Sequence, residues 1–152
     1  MLIMTSPEIH FLKAEAYLMG YGVTADENKA KEEFIKAVSQ SISLYYYYDS
    51  ISTGENSRQY DAPTEEEINS FAESRWSYTK YENKQDAIIT QKWLHFAITA
   101  SREAWSDLRR TGYPSGLVFP EVAGTIPNVP DRWKYPTTET VSYTHLTLPT
   151  IA

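Results

Sequence analysis

The stretch Gln91–Pro114, QKWLHFAITASREAWSDLRRTGYP, constrains the fold more than any other part of the chain. Ile89, Trp93, Phe96 and Ala100 recur at spacings of four, three and four residues, which sets them along one side of a helix. Trp105 and Leu108 continue the row after the polar run Thr99–Glu103. Arg109 and Arg110 fall in the last turn, where cations oppose the negative end of the helix dipole. Gly112 suits a left-handed cap, and Pro114 prevents the helix from resuming. The pattern predicts helix from Asp86 to about Leu108, with a candidate break near Thr99–Ser101. It also casts Trp93 and Trp105 as core anchors.

A second helical pattern lies near the start. Ser6-Pro7-Glu8 reads as a capping serine, a proline at the first helical position and an acid in the first turn. Ile9, Leu12, Ala16 and Met19 then form the expected buried stripe, ending at Gly20-Tyr21-Gly22. Asp26 caps a further helix that buries Ala30, Phe34, Ala37 and Val38. Two amphipathic helices with a short link make an antiparallel hairpin. Ala14, Tyr17, Ala30, Phe34 and Ala37 match the small-and-aromatic spacing of a tetratricopeptide unit, with a turn about four residues longer than the 34-residue repeat allows.

Leu44–Tyr48, LYYYY, cannot turn every ring toward one core. It reads either as a sugar-stacking ledge or as a helix end packed on a neighbouring domain. Residues 49–61 read as a loop. Thr64 with Glu67 forms a capping box for a short acidic helix through about Arg75, and a connection follows over 76–84. Six of the eight prolines lie from Pro114 onward, so residues 114–136 are expected to be extended or looped, with a short strand at Trp133–Tyr135. The predicted fold class is mainly α, with tetratricopeptide-like helical hairpins and a loop-rich, proline-containing C-terminal segment.

Bulk properties narrow the functional classes. A formal charge of −6 argues against nucleic acid or an anionic membrane surface as principal partner. No stretch has the apolar length of a membrane span, and residues 2–5 are too short for the core of a signal peptide. Aromatic residues make up 14% of the chain, including 12 tyrosines, a composition that suits contact with sugar rings as well as helix packing.

No catalytic constellation is visible: there is no glycine-rich phosphate loop, no GxSxG, no HExxH and no cysteine. His10, His95 and His145 fall in unrelated segments, and His10 and His95 read as interface or surface residues on helices. Glu65-Glu66-Glu67 sits at a helix N-terminus, where the dipole explains it better than paired catalytic acids do. Adjacent Arg109 and Arg110 point about 100° apart and cannot form one clamp; one is expected to pair with Asp107 or Glu103, the other to cap carbonyls. No catalytic residue, metal ligand or cofactor is assigned, and the ligand-contacting residues are left unassigned.

Three segments carry a resemblance to a known family. Ile89-Thr90-Gln91-Lys92-Trp93 with Glu103-Ala104-Trp105 and Arg109–Pro114 looks like the C-terminal portion of the SusD/RagB family. Pro7-Glu8-Ile9 with Phe11–Ala16 resembles that family's "SEIYFLRAEA" helix, and Asp131–Pro136 resembles its "PRRLPYP" segment. The three matches keep the family's order from about Ser6 to Glu139.

The resemblance implies a non-catalytic, surface-exposed outer-membrane lipoprotein of Bacteroidetes-type bacteria. Such a protein binds a glycan or other nutrient and delivers it to a SusC-like TonB-dependent transporter in polysaccharide utilization. On this reading residues 1–140 are the C-terminal part of the helical domain, and the lipid anchor lies in a missing N-terminal part. Val141–Ala152 looks unlike the family and resembles translated sequencing-adapter DNA, so it is expected to be non-native. The alternative is a helical-repeat scaffold for protein–protein interaction.

Overall fold

Capping chemistry sets the helix boundaries in the computed structural model, which describes residues 4–53, 60–96 and 99–117. Five helices occur among them: α1 (Ser6–Met19), α2 (Glu27–Ser50), α3 (Glu65–Trp76), α4 (Lys84–Phe96) and α5 (Ser101–Thr111). The described residues contain no strand. They belong to a unit spanning Met1–Leu117. Residues 118–152, with the expected Trp133–Tyr135 strand, the Asp131–Pro136 match, His145 and the 141–152 tail, lie outside the described residues.

The α1 start differs from expectation by one residue. Thr5, not Ser6, is the N-cap, and it forms a full capping box with Glu8. Ser6 instead donates to Gln40 on α2 at 2.6 Å. Asp26 caps α2 by accepting from the Asn28 and Lys29 amides. Thr64 and Glu67 close the predicted box on α3. Gly20 and Gly112 end α1 and α5 in the left-handed region at φ 73° and 76°. A side chain is strained at such angles, which is why glycine serves there.

The α1–α2 hairpin forms, but α1 buries a different face from the expected stripe. Ile9, Leu12 and Met19 are 41%, 40% and 43% exposed, while Pro7, Phe11, Ala14 and Glu15 are buried. Both rows have helical spacing and both are largely apolar, so periodicity alone does not choose between them. The partner chooses: Phe11 and Ala14 face Ala30, Phe34, Ala37 and Val38 of α2, every one of which is buried as expected. The alanines let the helix backbones approach closely. Phe34 fills the remaining space, edge-on to Phe11 at 6.4 Å and tilted against Trp76 at 5.2 Å. Ala72 and Trp76 from α3 and Ile88 from α4 complete this core.

α4 is buried over most of its circumference because it packs against each of the other four helices. Helix does stop between α4 and α5: the Thr99 and Ala100 amides both donate to the Phe96 carbonyl, closing the turn before Ser101. The break therefore lies slightly earlier than Thr99–Ser101 but in the expected place. Trp93 and Trp105 are half-buried instead of core anchors, since α4 ends at Phe96 and α5 starts afresh at Ser101, so the continuous row assumed for them does not exist. The buried apolar positions of α4 and α5 are Ala87, Ile88, Ile89, Phe96 and Ala104.

Candidate functional site

Charged and polar groups near α4 are mostly engaged with one another, and this decides which surfaces remain for a ligand. Glu15, buried on α1, takes both terminal nitrogens of Arg110 at 2.6 and 2.8 Å and a 3.2 Å bond from Gln85. Arg110 also reaches Asp107 at 2.9 Å, and buried Lys92 pairs with Asp107 at 2.8 Å. The bidentate carboxylate holds the Arg110 guanidinium protonated, well above its ordinary range. Arg110 thus finds the predicted Asp107, but its main partner is Glu15, 95 residues away, which no local pattern announces. Among the described residues Arg109 caps no carbonyl; it stacks over Trp105 at 4.8 Å.

His95 is not a surface histidine. It is 4% exposed and sits where three helices meet. Its Nε2 and Nδ1 share hydrogen bonds with the Thr5 and Ser41 hydroxyls at 2.7 and 2.8 Å, and its carbonyl accepts from Tyr45 at 2.6 Å. Burial holds the ring's pKa below the ordinary histidine value. His10 forms a 2.6 Å pair with Glu33, which Lys36 also contacts at 2.9 Å. Burial pushes the Glu33 carboxyl up, but His10 and Lys36 together bring it below its usual range.

Asp86, 1% exposed, fastens the chain after Pro114 to α4. It accepts from the Ser115 hydroxyl at 2.6 Å, the Ser115 amide at 3.2 Å, Thr90 at 3.1 Å and the Glu82 amide at 3.1 Å. With both carboxylate oxygens occupied, Asp86 ties three segments together. Glu65, Glu66 and Glu67 lie in the first turn of α3, as the dipole reading expects. Among the described residues, no group of three or more His, Asp or Glu side chains could hold a metal ion. No helix of the described residues is long and apolar enough to cross a membrane.

Two aromatic grooves flank α4. One, of about 270 Å³, has Phe11 in its wall, Tyr45, Tyr46 and Phe71 around it, and Gln91, Leu94 and His95 from α4. The other, of about 250 Å³, is lined by Trp93 with Tyr81, Leu94, Pro114 and Leu117. Each is near the small end of ligand-pocket sizes, enough for one ring instead of an extended chain. The LYYYY segment continues α2 without a break. Tyr45 bonds into the His95 junction, Tyr48 packs edge-on against it at 6.4 Å, and Tyr47 is 57% exposed. The segment therefore divides its rings between packing and surface.

The comparisons with known proteins bear on the same residues. No curated protein and no solved structure matches this chain. The sequence profile described as SusD-like, Susd and RagB outer membrane lipoprotein, matches residues 1–146. That span includes the α1 and α4–α5 segments whose residues carried the resemblance, and the mainly helical fold agrees with it. The chain belongs to the SusD/RagB family of outer-membrane lipoproteins.

Proposed function

We propose that this chain serves in capturing a glycan or related nutrient at the cell surface, without catalysis, and in handing it to a SusC-like TonB-dependent transporter. The family match over residues 1–146 carries this reading. Two features support it. The aromatic grooves beside α4 set ring surfaces next to polar side chains such as Ser41, Gln91 and Thr90, the pairing of apolar face and hydrogen-bonding edge that suits a sugar ring. The acids and histidines nearby are tied into structural bonds, leaving carboxylates and imidazoles to hold helices together. Surface exposure, a lipid anchor and the tetratricopeptide-like character of the hairpin belong to the same proposal.

Affinity electrophoresis of the chain through gels cast with neutral and acidic polysaccharides tests it. Retardation by at least one polysaccharide is expected. Passage unretarded through all of them, together with capture of a protein partner, would favour the helical scaffold instead. Transporter delivery is tested separately by co-purification with a SusC-like barrel from outer membranes.

A further inference from the structure

We propose that the groove between α2, α3 and α4 takes the acetamido group of an N-acetylated sugar, with Gln91 as the residue that selects it. The proposal rests on the glycan-binding reading above and narrows it to a substrate class. The groove, of about 270 Å³, is walled by Phe11, Val38, Ile42, Phe71 and Leu94, and Gln91 joins the lining from α4. Gln91 is 9% exposed, and its Nε2 donates to the Tyr81 hydroxyl at 3.0 Å. That bond fixes the amide and leaves Oε1, which no donor reaches among the described residues.

Oε1 is unmet but not sealed. Among the described residues, the side-chain polar atom that is both fully enclosed and without a partner is Arg75 Nε, so Gln91 Oε1 keeps access to the outside. Of the cavities around the described helices, this groove is the one that Gln91 lines. Other polar groups in it are engaged: Ser41 bonds with His95 Nδ1 at 2.8 Å, and the Tyr45 hydroxyl donates to the His95 carbonyl at 2.6 Å. Tyr46, half-buried, brings a further hydroxyl that bonds to nothing among the described residues. An acceptor on a nine-tenths buried side chain is costly to leave unmet, and native structures keep one where water or a ligand supplies the donor.

The chemistry of the donor follows from the walls around the acceptor. Phe11 and Val38 are 1% and 2% exposed, and the lining includes no lysine, arginine, aspartate or glutamate. A plain sugar edge pressed against such walls would leave neighbouring hydroxyls without partners, and an ammonium or carboxylate would cost more. An acetamido group matches instead. Its N–H is a single donor for Oε1, its methyl adds apolar contact with Val38 and Ile42, and its carbonyl is left to accept from the Tyr46 hydroxyl. Phe71 and Leu94, 43% and 50% exposed, give apolar surface to the ring that bears the group.

The test uses the full chain in gels containing fully acetylated glycol chitin or hydroxyethylcellulose, whose backbone has hydroxyls where chitin has acetamido groups. Retention on glycol chitin should exceed that on the cellulose about tenfold or more, the combined scale of one buried methyl and one hydrogen bond. Free N-acetylglucosamine should relieve the retention, and free glucose should not. Gln91→Met keeps the side-chain length without the amide and should abolish the preference. Phe71→Ala changes an exposed position, should lower retention on glycol chitin, and keeps the test decisive if melting curves show that Gln91→Met does not fold. Equal retention on the two polymers, equal relief by the two free sugars, or wild-type retention of either folded variant would overturn the proposal. Retention on other polysaccharides with none on glycol chitin would overturn it while leaving glycan binding standing; retention on none would remove both.

Discussion

The α1–α2 hairpin and the α4–α5 corner are held by opposite means. In the hairpin, Ala14, Ala30 and Ala37 bring two backbones together and Phe11 and Phe34 fill what is left. In the corner, Lys92, Asp107, Arg110, Glu15, Asp86 and His95 form buried bonds between segments far apart in sequence. Apolar packing of this kind is non-directional and tolerates small shifts, whereas buried polar groups must meet their partners or cost heavily. The hairpin should therefore respond to volume, and the corner to pH and to the loss of single partners.

The largest effect should come from the hairpin. Phe34→Ala removes a fully buried ring touching Phe11 and Trp76 and should cost about 3–5 kcal/mol in chemical denaturation. A loss below about 1 kcal/mol would mean the hairpin core is not the stabilising unit.

The corner should show an asymmetry. Arg110→Ala leaves the Glu15 carboxylate buried and short of donors, whereas Glu15→Gln leaves a guanidinium that is 44% exposed and still near Asp107. The first should cost about 2–3 kcal/mol and the second about 1–2 kcal/mol, after allowance for solvent at Arg110. Equal costs in urea titrations would show that burial of Glu15 does not govern the pair.

The pH dependence should separate the regions further. His95 has a depressed folded value, so the unfolded chain binds its proton first as pH falls. Its contribution is present above the unfolded value near 6.5 and is lost as pH drops from there through the folded value. Glu33 is also depressed, so its contribution disappears at lower pH, below the ordinary carboxylate value of 4.5. Urea midpoints measured from pH 8 to about pH 2.5 should fall in these two stages. His95→Gln should flatten the upper one, and an unchanged upper stage would assign it to another group.

The smallest effects test which face of α1 is buried. Leu12→Lys should stay within about 0.5 kcal/mol of wild type. Ala14→Leu, at a fully buried helix crossing, should cost about 1–3 kcal/mol by overpacking. The reverse order in thermal melts would restore the Ile9–Leu12–Met19 stripe as the core face.

Local chemistry made much of this molecule legible in advance. Asp26, Thr64 with Glu67, Gly20 and Gly112 mark helix ends because caps are made within a few residues of the backbone they satisfy. The α2 row Ala30, Phe34, Ala37 and Val38 was readable because its opposite face is polar. The α1 row was not, because apolar side chains lie on both of its faces. Whether His95 was an interface or a surface residue stayed open for a related reason: the hydroxyls that bury it at the helix junction come from Thr5 and Ser41, at separations of 90 and 54 residues. The same holds for Arg75, whose stacking on Phe71 follows from helical spacing but whose enclosure against Tyr78 is a fact of three-dimensional placement.

By itself, then, the sequence determined the caps at Asp26, Thr64, Gly20 and Gly112, the α2 core face and the family to which the chain belongs. Those properties depend on short-range hydrogen bonding, on periodicity and on ordered motifs. Only the tertiary structure decided which side of α1 is covered, that Trp93 and Trp105 are half-buried, and that Glu15, Asp86 and His95 are structural bonds. Each of those outcomes depends on a partner distant along the chain, and a linear pattern carries no distance between its ends.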